Sequence, residues 1–390
     1  MKALNPVLLL IFCTTILVQK FFPILGVAPN RMMQPIGLYY SDLYEYHALI
    51  VNVALQFVLL LSFFFHLNKT RLLLILLIFS LLLSDLVFIC ADFAEKNAST
   101  NRIRFSLSCG FWILVFLWFL MVIETLQQLT YLLWQKISLG MIIYLPIILL
   151  FFSNKVDHLS LVQEFHANED VFRQAFVEHF TIVGLTLFFT LPIAIALGAL
   201  CHSAHNFGRY CMQILGLIQT LPSIALFGLL LEPLSLLSNI FPFLSYIGIK
   251  GIGIAPAVIA LVLYSLLPVV RSVLTGLNLI PQQTIDAALG LGMTQFQLLF
   301  QIKIPLALPI ILSGIRIMVV QAIGLAMIAA LIGAGGFGAI MFRGLANSAL
   351  DLTLLGVIPV IILAMAVDML FRLLETASLH DKPTIIIANR

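Results

Sequence analysis

Cys201, His202, His205 and Cys211 are four side chains, close in sequence, of types that ligate metals. A structural zinc site needs two matched ligand pairs at fixed separations, and these four residues do not supply them. They read as unrelated turn residues. No Ser/His/Asp set, carboxylate pair or His-Glu-x-x-His run is present, so no catalytic chemistry is expected. Ile332-Gly-Ala-Gly-Gly-Phe-Gly338 is rich in glycine, but a nucleotide loop needs a preceding strand or a Gly-Lys-Ser/Thr ending. This stretch has neither and reads as a flexible turn. Cys90 and Cys109 flank one short polar loop, and a disulfide between them stays open as an alternative.

What remains is polar or conformationally special groups set inside apolar runs. Pro222 interrupts one run and frees a backbone carbonyl. Gln219, Thr220 and Ser223 lie beside it. The segment reads either as a kinked helix lining a pathway or as a packing kink whose hydroxyls bond back to the backbone. Arg316 lies about ten residues into another run, where a guanidinium is costly unless paired or wetted. It either faces a pathway or bridges to backbone carbonyls or to Asp368, and the structural role is preferred. Asp85 and Glu124 are the acidic counterparts in the first half, each either paired or near an interface.

A third feature is a whole segment. Pro281 is placed where a helix can start, because its missing N–H would lack a partner in the first turn anyway. Gln282 to Leu289 then make about two helical turns. Gly290 and Gly292 can end them, since glycine takes the left-handed conformation without penalty. Thr294 can cap a second short helix that puts Phe296, Leu299 and Phe300 on one face. Pro305 marks entry into the next apolar run. The expected object is a helix–turn–helix with a small face at Ala287 and Ala288 and an apolar underside anchored to its neighbours.

The elements that must hold these residues follow from composition. The chain has 390 residues, 62% hydrophobic and 9% charged, against about 25% charged in a soluble domain. An all-α polytopic membrane protein is the expected class. The net charge of +3 and the absence of a basic run give no case for nucleic acid. About ten spans of roughly twenty residues are expected. In the first half they cover about 4–25, 48–65, 72–91, 107–125 and 137–152. Gly26-Val-Ala28 offers a cleavage site, but an uncleaved first span is preferred. Trp112, Trp118 and Trp134 suit interface anchoring. In the second half the spans cover about 179–200, 210–231, 254–274, 306–332 and 352–374, with a re-entrant or surface helix within 232–250. Residues 1–153 then form an accessory transmembrane region, 154–177 a polar external connector, 178–375 a second helical core, and 376–390 a tail. Lys and Arg divide about ten to nine between the two sides, so charge hardly orients the chain.

The segment around Asp286 resembles the EAA loop of ABC-importer permeases. That pattern is Glu-Ala-Ala, three residues, Gly, nine residues, Ile-x-Leu-Pro. It falls on Asp286, Ala287, Ala288, Gly292, Ile302 and Pro305, with Asp286 in place of Glu and Ile304 in place of Leu. Gln219-Thr-Leu-Pro222, Tyr264-Ser-Leu-Leu-Pro268-Val-Val-Arg271 and the Gly333–Gly338 stretch are similar to the osmoprotectant branch, which imports glycine betaine, choline or carnitine. The extra first half is similar in architecture to the longer Yeh-type permeases.

The resemblance implies a MetI-like permease core over about 178–375 and a coupling loop over 281–305 that docks on a separate ATPase subunit. It implies that ATP and magnesium belong to that subunit and that no cofactor sits in this chain. It also implies a second permease subunit, identical or homologous, a periplasmic substrate-binding protein, and a bacterial inner membrane with both termini cytoplasmic. A secondary transporter of two five-helix halves is the alternative, but the first half has no counterpart of the loop. An amino-acid-type importer is another.

Overall fold

A computed structural model describes residues 5–30, 33–44, 46–63, 68–98, 103–129, 131–246 and 248–380. Two units divide the chain. One takes in Met1–Asn168 with Ala346–Leu352, the other Glu169–Leu345 with Thr353–Arg390. Residues 154–168, read from the sequence as a connector ending at 177, group with the first unit.

In the first unit, apolar helices α1 (Pro6–Phe21), α3 (Tyr46–Phe63), α4 (Lys69–Asn97), α5 (Cys109–Gln128) and α6 (Leu133–Phe151) are joined by shorter pieces. Those pieces are β1 (Leu25–Ala28), β2 (Ile36–Leu38), α2 (Tyr40–Leu43), β3 (Arg104–Leu107) and α7 (Ser160–Ala167). Phe12, Phe63, Ile75, Phe79, Leu86, Leu114 and Met121 are buried in its core. Trp118 is buried with them rather than anchored at an interface, whereas Trp134 is exposed. The three short strands form an antiparallel sheet in the order β2-β1-β3 within an otherwise helical unit. Gly26 faces Gly37 and Ser106 there. A Cβ on Gly26 would lie 2.8 Å from Pro35 and 2.9 Å from the Ser108 hydroxyl, so no larger residue fits without a shift.

Both first-half acids are partnered. Asp85 accepts from Tyr44 and Asn52, and Glu124 from Asn5 and Gln128. Arg104 on β3 pairs with the fully buried Glu164 on α7 at 2.6 Å, tying the supposed connector to the sheet. Cys90 is buried, Cys109 is exposed, and both are free, so the two are not bridged.

The second unit contains α8 (Glu169–Ser203), α9 (His205–Thr220), α10 (Ser223–Ile240), α11 (Pro242–Tyr246) and α12 (Ile254–Asn278). After them come α13 (Gln282–Gly290), α14 (Gln295–Gln297), α15 (Ile304–Ile328), α16 (Phe337–Ala346) and α17 (Leu350–His380). At its centre α12 packs on α8 and α15. Small residues allow that approach, as expected where lipid removes the hydrophobic drive between helices. An added Cβ on Gly198 would meet Val273 at 2.6 Å, and one on Gly314 would meet Ser272 at 2.0 Å. Two-thirds of α12's most apolar stretch (67%) is buried, but only 11% of α10's and 17% of α17's, so these two present apolar faces outward.

Among the described residues, eight helices are long and apolar enough to cross a membrane. Two of the expected spans, near α1 and α3, appear as shorter apolar helices. The span expected over about 210–231 is overturned. The helix stops at Thr220, and a new one starts at Ser223. Pro222 removes a backbone donor, and Leu221 and Pro222 both take extended ψ angles of 135° and 134°. α10 then runs through much of the stretch read as a surface helix. Of the tail, 376–380 continue α17, while 381–390 lie outside the described residues.

Candidate functional site: the knuckle between α12 and α15

Residues 281–305 form an exposed knuckle between the two most central helices of the second unit. α13 begins right after Pro281, whose ψ of 135° makes it the residue before the helix rather than its first. Asp286 is exposed and accepts a hydrogen bond from the Gln282 amide at 2.9 Å, one turn earlier. Ala287 is exposed, while Ala288 is 5% exposed and seats the helix. The end is sealed by Leu291 N–H to Ala287 O, Gly292 N–H to Leu289 O and Met293 N–H to Ala288 O. Gly292 sits at φ +80°, the left-handed conformation that closes a helix end.

Thr294 caps the next piece reciprocally. Its hydroxyl accepts from Gln297 N–H at 3.3 Å, and the Gln297 side chain accepts from Thr294 N–H at 2.9 Å. The second helix is not separate. α14 passes through a turn of π-helix over Leu298–Lys303 straight into α15. Pro305 has no N–H to give back to Gln301, and a widened turn ahead of it accommodates the missing bond. Ile302 lies half-buried in that turn.

The expected apolar underside is corrected by the structure. Phe296 is 71% exposed and Phe300 51%, their rings 4.5 Å apart. Leu291 also faces outward, and Leu298 is the anchoring residue instead. The i, i+3, i+4 spacing finds the apolar face but not its direction. Once α14 is continuous with α15, the face is set by the register of the long helix.

The pathway candidates gather at the break between α9 and α10. The Gln219 amide donates to Tyr264 O on α12 at 2.9 Å, and the Tyr264 hydroxyl donates to Leu221 O. Thr220 bonds back to Leu217 O at 2.7 Å. Pro222 is exposed and Ser223 half-buried. Tyr264 therefore closes the break from both sides, a role that its place in the sequence did not reveal.

Arg316 lies on α15 within an ion network to α17. Its Nη1 donates to Asp368 at 3.1 Å, its Nε lies 3.0 Å from Glu375, and Arg372 pairs with Asp368 at 2.7 Å. Two cations and two anions balance there.

At another place in the unit, Glu178 of α8 accepts Gly336 N–H at 2.7 Å and the Gln174 amide at 2.8 Å. Gly333, Gly335 and Gly336 all have φ near +76° to +79°. A Cβ on Gly335 would fall 2.0 Å from the Glu178 carboxylate. The glycine stretch is thus a fixed latch, with α16 following it, rather than a flexible turn. Glu178 was not singled out from sequence, since a lone acid at the mouth of an apolar run has no distinguishing spacing. No group of three or more metal-ligating side chains is present among the described residues. His202 instead meets Asn278 at 2.8 Å, and the His205 side chain lies outside the described residues.

Residues 181–378 match the family profile described as binding-protein-dependent transport system inner membrane component. Residues 4–162 match the one described as ABC transporter permease YehY, N-terminal domain. The chain is 38% identical over 198 residues to the osmoprotectant import permease protein OsmW of Salmonella typhimurium, covering 51% of this chain and 87% of that one. It is 35% identical over 185 residues to the carnitine transport permease protein OpuCB of Listeria monocytogenes, covering 47% and 78%. An inward-facing structure of the MetNI methionine ABC transporter aligns with a TM-score of 0.47 at 19% identity, covering 53% of this chain and 96% of that one.

Proposed function

The chain belongs to the family of binding-protein-dependent transport system inner membrane components, and from that premise we propose that it imports a compact quaternary amine or zwitterion such as glycine betaine. It is a permease subunit of an ABC importer. The substrate reading draws on the printed substrates of its relatives, osmoprotectants and carnitine.

The observation that carries the mechanism is the knuckle: small, capped at both ends, and tipped with Leu291, Phe296 and Phe300 turned outward. Exposed aromatics on a rigid turn fit a groove on another subunit, because burying them there recovers their hydrophobic free energy. Asp286, Ala287, Ala288, Gly292, Ile302 and Pro305 are the residues that shape it. An ATPase subunit closing on ATP pulls this knuckle. Its continuity with α15, through the π-helical turn, carries the motion into the centre of the unit. ATP and magnesium sit in that partner, and this chain supplies no ATPase site of its own.

A second permease core covers one of the outward apolar faces. The broken segment Gln219–Ser223 lines the pathway, held by Tyr264. An external binding protein delivers substrate. The location is the bacterial inner membrane with both termini in the cytoplasm, and the orientation follows from placing the knuckle where ATP is.

The test is assembly. Phe296→Ser with Phe300→Ser should release the ATPase subunit from the purified complex while the permease stays folded in detergent. Co-purification at wild-type stoichiometry would contradict the docking role.

A further inference from the structure

The first unit contains a cleft of about 450 Å³ between α1, α2 and α3. Its long wall is apolar: Phe12 and Ile16 on α1, with Val53, Phe57 and Leu60 on α3. One end is polar, with Gln19 and Lys20 of α1 beside Tyr40 and Ser41. Phe12 to Lys20 is eight residues of helix, a length of about 12 Å. Ile16, Val53 and Phe57 are exposed along its length, so the cleft is an open groove, apolar for most of its length and polar at one end, the mouth.

Two features of the mouth need a partner. Gln19 is only 8% exposed, and its Nε2 has no hydrogen-bond partner among the described residues. A buried amide donor left unmade bears its full desolvation penalty. Lys20 beside it is exposed and has no carboxylate partner among the described residues, only the Phe21 ring at 5.7 Å.

Asp42 and Asp85, the nearby acids among the described residues, are already satisfied. Asp42 accepts from Tyr39 N–H and the Ser41 hydroxyl. Asp85 accepts from Tyr44 and Asn52 at 2.7 Å each, and Asn52 in turn accepts from Gln56 and Tyr40. Burial raises the Tyr40 and Tyr44 phenols above their ordinary value, so both stay neutral donors. That network fixes Tyr40 and Gln56 in the cleft wall. Among the described residues, the mouth is left with one cation and the unused Gln19 amide NH2, which together select an oxyanion.

We propose that this cleft holds one hydrocarbon chain of an anionic amphiphile, with a phosphate or carboxylate oxygen at the Lys20 ammonium and the Gln19 amide. The chain runs along Ile16, Val53 and Phe57 toward Phe12 and Leu60. A slight turn of the Gln19 amide brings its donor to the head group. The oxyanion has two possible sources, a membrane phospholipid or a free fatty acid. This site does not depend on the transport reading.

The test is native mass spectrometry of the full chain, stripped of lipid in a neutral detergent. It is titrated separately with dioleoyl phosphatidylglycerol, oleate and, as an uncharged control, dioleoylglycerol. One equivalent of an anionic species should bind at least about tenfold tighter than the control. Preference for phosphatidylglycerol identifies the phospholipid source, and preference for oleate the fatty acid. Lys20→Gln should lower that affinity about tenfold, the loss of a charge-assisted contact. Leu60→Trp should block the depth of the cleft. Gln19→Glu, nearly the same size, should repel the head group and keeps the test open if the tryptophan variant unfolds. Equal binding of dioleoylglycerol, or unchanged anion binding in folded Lys20→Gln and Gln19→Glu, would overturn the site.

Discussion

Gly292 turns the knuckle at φ +80° with open space where a Cβ would project, so a substitution there is penalised by backbone conformation alone. Gly292→Val should cost about 1–2 kcal/mol locally. It should also misalign α13 against α14, lowering the ratio of solute imported to ATP hydrolysed with little change in the melting temperature of the permease. The Arg316 network makes a different prediction. Arg316→Met leaves Glu375 and one Asp368 oxygen without their cation and should destabilise the protein by about 2 kcal/mol. Adding Glu375→Met restores charge balance, because Arg372 still pairs with Asp368. The double variant should therefore melt above the single Arg316 variant, and a lower melting temperature would contradict the pairing. The types and spacing of Asp286, Ala287, Ala288 and Gly292 were legible in the sequence because caps and turns are local. Asp368 was named among the possible partners of Arg316, whereas Glu375 and the partner of Glu178 were not, since they depend on which helices meet.

Elements carried the larger surprises. Tyr264→Phe should leave Leu221 O without its donor at the break between α9 and α10. The cost is about 1 kcal/mol, and the prediction is slower transport with the ATPase still bound, measured by uptake and co-purification on the same sample. Glu178→Ala should free the glycine latch. Amide exchange at Gly335–Phe337 should then accelerate while that of α12 is unchanged. Hydropathy found the apolar runs, but not the stop at Leu221 and Pro222, because the proline left the run's composition untouched. The same limit hid the small sheet. Leu25–Ala28 and Arg104–Leu107 are far apart in the chain, and strands of four residues bounded by proline and polar loops have too few positions to show a period. The outward turn of Phe296 and Phe300 was missed for a related reason. Periodicity defines a face, and only the continuity with α15 decides where it points.

At the scale of the molecule, the chain combines two units with different apolar economies. The first buries long helices around Phe79 and Leu114 and keeps a cleft. The second concentrates its small residues in α8, α12 and α15 and leaves α10 and α17 largely uncovered. A permease that works alone would have no use for an aromatic-tipped knuckle on its central helices. The central claim is that this knuckle couples ATP hydrolysis in a partner to import. The most direct measurement is uptake of labelled glycine betaine into vesicles containing this chain with its ATPase and binding protein, for wild type and Gly292→Val, with and without ATP. The account predicts uptake that requires ATP and collapses in the variant while the subunits remain assembled. Uptake driven by an ion gradient without ATP, or undiminished ATP-driven uptake by the variant, would contradict it.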